Sequence, residues 1–233
     1  MSELAVVMPV YNEEGAIQGV LEKWAKELDR LGMDYEIHVY NDGSKDHTSA
    51  LLKSAAATHP RVRAHDKKNS GHGPTILQGY RDNSMATWLF QIDSDDEMGP
   101  EGFQDLWSRR KDYDFLLGTR DGRKSPLPRK LISLISRMTV RLFYGAGIWD
   151  VNSPFRLMRS ETFRELFLKL PPTTFAPNVI ISGYACKKRL RICQVTVPCR
   201  ARQAGTVSIK KWKLLKAALK SFVQTTCFAV KIG

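Results

Sequence analysis

Asp93, Ser94 and Asp95 stand directly behind the apolar run Trp88-Leu89-Phe90-Gln91-Ile92. A short β-rich run that ends in alternating carboxylates points two acids out of a strand's C-terminal end, where the ligand crevices of open α/β sheets lie. Clustered carboxylates repel one another, so something cationic joins them. A hard divalent ion, Mg²⁺ or Mn²⁺, is the natural candidate, because it takes oxygen ligands and bridges to a substrate phosphate. Read alone, Asp95-Asp96-Glu97 before Gly99-Pro100 is equally an acidic surface turn that opens a helix.

Three more polar segments follow apolar runs in the same way. Behind the first stands Met8-Pro9-Val10-Tyr11-Asn12-Glu13-Glu14, behind the second Asn41-Asp42-Gly43-Ser44-Lys45-Asp46, and behind the third Asn69-Ser70-Gly71-His72-Gly73-Pro74. Carboxylates at one sheet edge can accept hydrogen bonds from a nucleobase or ribose, and a glycine loop lets backbone approach a ligand closely. A plain turn is the alternative for the glycine loop. No GxGxxG follows the first strand and no GxxxxGK[ST] exists, so dinucleotide and P-loop readings lose their main support.

These segments need strands and helices to bring them together. Leu4–Val10 reads as a strand, and Ile17, Val20, Leu21, Trp24, Leu28 and Leu31 follow helical spacing. Strands are expected at 35–40, 62–65, 87–92 and 115–119, and helices at 48–58, 74–83 and from Gly99-Pro100-Glu101 onward. This rhythm predicts an α/β fold with a mostly parallel sheet covered by helices on both faces. Beyond it, the pattern gives a helix over 129–144, a loop entering a strand over 150–159, a capped helix over 160–170 and a last strand over 189–198. From Trp212 it turns amphipathic: Trp212, Leu215, Leu219, Phe222 and Val223 share one helical face, flanked by Lys213, Lys216 and Lys220. Such a C-terminal basic helix either packs into the core or lies in an anionic membrane surface.

A length of 233 residues suits one large α/β domain or one domain plus an appendage, and 42% hydrophobic with 26% charged residues excludes disorder. Cys186, Cys193, Cys199 and Cys227 show no CxxC spacing and read as reduced thiols of a cytoplasmic protein. No basic-then-apolar leader opens the chain, and no run of about eighteen apolar residues is present to span a bilayer. The last acidic residue is Glu165: residues 166–233 carry a net +13, and the first 165 residues a net −1. That block calls for an anionic partner. Nucleic acid is disfavoured, since no helix-turn-helix, RRM or zinc pattern accompanies the charge.

Taken together, Pro9-Val10-Tyr11-Asn12-Glu13-Glu14, Asn41-Asp42-Gly43-Ser44, Gly71-His72-Gly73 and Asp93-Ser94-Asp95 resemble the family 2 glycosyltransferases of the GT-A fold. The resemblance continues through Gly118-Thr119-Arg120, Asp150-Val151-Asn152-Ser153-Pro154-Phe155-Arg156 and Arg202-Gln203-Ala204-Gly205-Thr206-Val207-Ser208, which are most similar to the polyprenol-phosphate branch with its dolichol-phosphate mannose synthases. It implies a catalytic domain over 1–210, with a nucleotide-sugar half (1–120) and an acceptor half (121–210), followed by the basic helix 211–233. Pro9, Tyr11, Glu13, Tyr40 and Asp42 would line the nucleoside pocket. Asp93, Ser94 and Asp95 would be the family's DxD element, with Asp95 and Glu97 nearest an Mg²⁺ or Mn²⁺ ion. Arg120 would sit near the diphosphate and the acceptor phosphate, Arg129 and Ser133 would hold that phosphate, and Arg202 and Ser208 would lie in a loop closing over the donor.

The sequence departs from the family's pattern in four places. Asn41 replaces the usual first acid of its segment, Pro154 a glycine, Asn178 a glutamate common on its helix, and Ser208 a lysine, although Lys210 and Lys211 follow closely. The implied reaction is an inverting, metal-dependent transfer of a sugar from a nucleotide-sugar to a polyprenyl phosphate. A phosphate acceptor is already an anion and needs no general base, whereas a hydroxyl acceptor would. No acid follows Glu165, which leaves Asp96 and Asp150 as candidate bases and favours phosphate. A hydroxyl acceptor on a glycan, protein or lipid is the rival reading, and a non-catalytic nucleotide- or membrane-binding scaffold is the second. The implied location is peripheral at the cytoplasmic membrane surface, with room for a membrane-anchoring subunit.

Overall fold

The computed structural model describes residues 2–121, 127–200 and 211–231. The elements run β1 (Leu4–Val10), α1 (Ile17–Arg30), β2 (Tyr35–Asn41), α2 (Thr48–Thr58), β3 (Val62–Asp66), α3 (His72–Asp82), β4 (Trp88–Gln91) and, after a 3₁₀ turn at Pro100–Gly102, α4 (Phe103–Ser108). They continue as β5 (Phe115–Asp121), α5 (Leu127–Phe143), β6 (Arg156–Arg159), α6 (Ser160–Lys169), α7 (Pro177–Lys187), β7 (Ile192–Pro198) and α8 (Lys211–Lys231).

Seven strands form one sheet in the order β3-β2-β1-β4-β6-β5-β7. All pairings are parallel except those of β6, which runs antiparallel to both β4 and β5. The chain winds from β1 outward through β2 and β3, then returns to place β4 on the other side of β1. That reversal is the switch point at which open α/β sheets hold ligands beyond the carboxyl ends of their strands.

The central strand is buried on both faces, so its alternating side chains feed two cores. Leu4, Val6, Met8 and Val10 join Trp24 and Leu28 of α1 and Phe103 of α4 on one side. Ala5 and Val7 join Ile76, Leu77 and Tyr80 of α3, Phe163 and Phe167 of α6, and Ile180 and Ile181 of α7 on the other. Trp24 and Phe90 lie 5.3 Å apart, and Phe90 and Phe103 4.7 Å, which clamps α1 and α4 onto β4. On the opposite face α3 sits unusually close to the sheet, because a Cβ at Gly79 would lie only 2.4 Å from Val7 Cγ1.

Three expectations need correction. The last strand begins at Ile192, not Arg189, because Arg189 takes the left-handed conformation (φ 51°) that ends α7, and Leu190 N bonds back to Ala185 O. Ser160 opens α6 without capping it: β6 runs straight into the helix, the Ser160 amide donates to Thr87 O, and its hydroxyl finds no partner among the described residues. Helix α3 begins at His72, two residues before Pro74, which brings His72 and Gly73 into its first turn.

Candidate active site

The loops after β1 and β2 are tied to each other before any ligand is considered. Asn12, at φ 53°, donates its amide to Ser44 Oγ (2.9 Å) and accepts the Lys45 amide on Oδ1 (2.8 Å). The Glu13 amide donates to Thr48 Oγ1 (2.9 Å) and the His47 amide to Glu14 Oε2 (2.8 Å). Tyr11 is left exposed at the rim, while Pro9 and Glu13 are buried.

Asn41 has a reason to be an amide. Its Oδ1 accepts the Ser44 amide and hydroxyl, and its Nδ2 donates to Asp66 Oδ1 at 2.7 Å. An aspartate here would lose that donation and face Asp66 with a second carboxylate. Asp42, beside it, is buried and organises the glycine loop. Its Oδ1 accepts from Lys67 Nζ (2.5 Å) and the Ser70 amide (2.8 Å), and its Oδ2 from the Gly71 amide (2.8 Å). Burial pushes its pKa up, but the bonds from Lys67, Ser70, Thr75 and Gly71 outweigh burial and hold it below the usual carboxylate range.

Tyr40 does not line the crevice. It is fully buried, stacks on His65 at 4.5 Å and donates its hydroxyl to Asp82 Oδ2 at 3.1 Å. The strand alternation that exposes the end of β2 turns residue 40 onto the α3 face, so Tyr40 supports the pocket floor from within.

At the end of β4 the acids separate into two sets. Asp93 Oδ1 meets His72 Nε2 at 3.1 Å and Gln91 Nε2 at 3.2 Å. Burial works against charge on both members of this pair. The His72–Asp93 attraction prevails, leaving His72 raised above its ordinary value and Asp93 below its own. Ser94 is buried behind them. Asp95 Oδ1 accepts the Glu97 amide (3.2 Å), and Glu97 Oε2 lies 3.9 Å from Arg120 Nη1. Arg120, on β5, donates through Nε to Asp150 Oδ2 at 2.9 Å, so β5 and the loop before β6 close the far wall. Asp96 points the other way: φ 55° turns it under the loop, where it pairs with Lys23 and lies 4.0 Å from Arg200.

The structure thus brings Asp93, Asp95, Glu97 and Arg120 together beyond the carboxyl end of β4, with Tyr11 and Glu13 on the loop after β1. Ser133 is exposed on α5, and Arg129 belongs to the same helix with its side chain outside the described residues. Arg202 and Ser208 also lie outside the described residues. Sequence reasoning did not single out His72, Gln91 or Lys67 as site residues. The signal was available for His72, which stands beside the glycine loop on the same sheet edge, but nothing local links Gln91 to its partners.

Residues 5–167 match the family model for glycosyl transferase family 2. The chain belongs to that family. It is 26% identical over 215 residues to an undecaprenyl-phosphate 4-deoxy-4-formamido-L-arabinose transferase of Pseudomonas paraeruginosa, covering 91% of this chain and 62% of that protein. It is also 26% identical over 234 residues to the dolichyl-phosphate beta-glucosyltransferase ALG5C of Trichomonas vaginalis, covering 91% and 68%. This family 2 chain therefore spans just under two thirds of the Pseudomonas relative's length. Among solved structures it superposes on glucosyl-3-phosphoglycerate synthase from Mycobacterium tuberculosis, a complex with Mn²⁺, UDP and glucosyl-3-phosphoglycerate. The TM-score is 0.70 at 17% identity, over 98% of this chain and 80% of that one. It also superposes on S. aureus TarS in complex with UDP, with a TM-score of 0.59 at 18% identity, over 94% and 65%. These likenesses establish the GT-A fold.

Proposed function

We propose that this chain moves a sugar from a nucleotide-sugar to a polyprenyl phosphate, with inversion, at an anionic membrane surface. The observation that carries the reading is the convergence of Asp93, Asp95 and Glu97 with Arg120 at the sheet's switch point, inside a family 2 domain. The Pseudomonas and Trichomonas relatives, a transferase acting on undecaprenyl phosphate and a dolichyl-phosphate glucosyltransferase, support this acceptor class.

Among the described residues no three His, Cys, Asp or Glu side chains form a ready-made cation cage. The donor set nevertheless fits a divalent ion shared with a substrate, since Mg²⁺ is commonly held by one or two carboxylates plus phosphate oxygens. Asp95 and Glu97 would hold it, and when bound it supplies positive charge against the departing diphosphate. Arg120, fixed by Asp150, adds a guanidinium on the same side. An acceptor phosphate oxygen attacks the anomeric carbon through an oxocarbenium-like transition state. The new C–O bond forms as the bond to the nucleoside diphosphate breaks. The two acids that could have served as bases for a hydroxyl acceptor are both engaged, Asp96 with Lys23 and Asp150 with Arg120, which favours the phosphate.

The membrane part of the reading rests on α5 and α8, which pack together, with Tyr144 Oη donating to Thr225 O at 2.6 Å. Leu134, Met138 and Leu142 form an exposed i, i+4, i+8 stripe on α5, and Leu219, Phe222 and Val223 are exposed on α8. Trp149 is 70% exposed nearby, with Arg137 stacked 4.1 Å over its ring. Apolar helix faces rimmed by Arg and Lys suit an interface with anionic lipid. No described helix is long and apolar enough to cross a membrane. In vesicle flotation, wild type is expected to bind phosphatidylglycerol vesicles and to leave neutral ones unbound, each Lys or Arg held near the anionic surface adding about 1 kcal/mol. Leu142→Glu with Leu219→Glu is expected to abolish flotation and leave nucleotide binding unchanged. Equal binding of the double variant, or indifference to lipid charge, would remove the membrane from the reading.

A further inference from the structure

Beneath the acidic turn a buried chain of amides runs from α7 to Asp93. Gln91, the last residue of β4, is completely buried. Its Oε1 accepts from Asn178 Nδ2 at 2.8 Å and from the Tyr80 hydroxyl at 2.7 Å, and its Nε2 donates to Asp93 Oδ1 at 3.2 Å. Asn178 and Tyr80 are themselves buried. Arg156 holds the other end of the chain: it is fully buried, and its guanidinium donates to Asn178 O (3.1 Å), Ser153 O (2.7 Å) and Val151 O (3.3 Å). The frame therefore joins α3, β4, β6 and α7.

A glutamine amide can sit two ways round, and here only one works. With Oε1 toward Tyr80 and Asn178, two donors meet an acceptor. Turned over, its NH₂ would face the NH₂ of Asn178, and its oxygen would face the Asp93 carboxylate. The Tyr80 hydroxyl has a single proton, and its contact to Gln91 is shorter than its 3.2 Å contact to Asn178 Oδ1. Gln91 can therefore present only an N–H to Asp93.

We propose that Gln91, locked by Asn178 and Tyr80, is the positioning residue for Asp93. It pins the carboxylate from inside while His72 meets the same oxygen from the exposed side. The inference rests on the sugar-transfer reading of this crevice. Gln91 touches no substrate and acts through Asp93, whose side chain is only 29% exposed and is held in one orientation before the donor arrives. Partners one layer behind a metal or phosphate site change affinity or activity by about 10- to 100-fold when removed.

Gln91→Met nearly keeps the volume and removes both the donation to Asp93 and the acceptor for Tyr80 and Asn178, while Asn178→Asp replaces the NH₂ that donates to Gln91 Oε1 with a carboxylate oxygen and so favours the turned-over Gln91 amide. Each variant is compared with wild type by calorimetric titration of UDP and GDP, with and without Mn²⁺, and by the kcat and KM of transfer. Gln91→Met is expected to bind metal-free nucleotide as wild type does. It should lose about tenfold of the Mn²⁺-dependent gain in affinity and about 10- to 100-fold in kcat, with KM within about threefold. Asn178→Asp is expected to show the same signature, more weakly, and provides the test if Gln91→Met does not fold. Mn²⁺ gain and kcat within twofold of wild type in a folded variant, while Asp95→Ala loses both, overturn the role of Gln91 and leave the site reading standing. Absence of both nucleotide binding and transfer in wild type overturns the site reading and this inference with it.

Discussion

Asp95→Ala is expected to lower sugar transfer by about 10²- to 10³-fold and to erase the gain in nucleotide affinity brought by Mn²⁺. The size follows from position. Asp95 stands in the acidic turn beside Glu97, whose carboxylate lies 3.9 Å from Arg120, where negative charge must be neutralised as the diphosphate leaves. A thousandfold loss corresponds to about 4 kcal/mol of transition-state stabilisation. Asp96→Ala, one residue away, is the informative contrast. Its carboxylate is buried under the loop against Lys23, so its loss should lower the melting temperature and leave the Mn²⁺ dependence intact. Initial rates and calorimetric titrations on the two variants check the assignment. A Mn²⁺ response that survives Asp95→Ala and disappears in Asp96→Ala would reverse the two roles.

Stability is expected to fall by about 3 kcal/mol between pH 6.5 and pH 4, through His38. Burial and the neighbouring His65 push His38 down from 6.5 to about 4, against the opposing pull of Glu36. The rings lie 3.2 Å apart, His38 Nδ1 to His65 Nε2, and His65 is lowered too, chiefly by burial. The unfolded chain takes up a proton on His38 near pH 6.5 and the folded chain does not, so stability drops as pH falls through that window and levels off below the folded value. His72 works in the opposite sense. Its raised pKa gives stability that is complete below the unfolded value and is lost as pH rises through the folded one. Urea unfolding of wild type and His38→Gln from pH 4.5 to 8 separates the terms: the acid-side slope should flatten in the variant. Identical slopes would remove the histidine pair as the cause.

The half of the fold that carries the motifs was legible because each strand is a short apolar run closed by a strong breaker. Asn12, Asn41-Asp42-Gly43 and Gly71 mark strand ends that the sheet then aligns on one edge. The antiparallel insertion of β6 was not legible, since Arg156–Arg159 is four residues long and its partners are set by β4 and β5. Helix α7 is hidden in the sequence for a different reason. It is buried almost all round, with Val179, Ile180, Ile181 and Ala185 in the core, and a helix without a polar face carries no periodic signal. The place of Tyr40 in its motif points to the pocket, whereas strand alternation sends it into the core. Gln91 and Asn178 are 87 residues apart, and their contact exists only because the first turn of α7 meets the last residue of β4 in the fold. In the sequence Asn41 reads as a lost acid, and its donation to Asp66 is the reason for the amide.

The central claim is that the crevice hands a sugar to a polyprenyl phosphate. The most direct measurement supplies radiolabelled UDP- and GDP-sugars to the chain with anionic vesicles that contain or lack polyprenyl phosphate, and counts label in the organic extract. The expected result is label in the lipid phase that requires the polyprenyl phosphate, a divalent cation and Asp95, with the anomeric configuration of the donor inverted. Label released as free sugar, or transferred equally well when the lipid phosphate is replaced by a lipid alcohol, would contradict it.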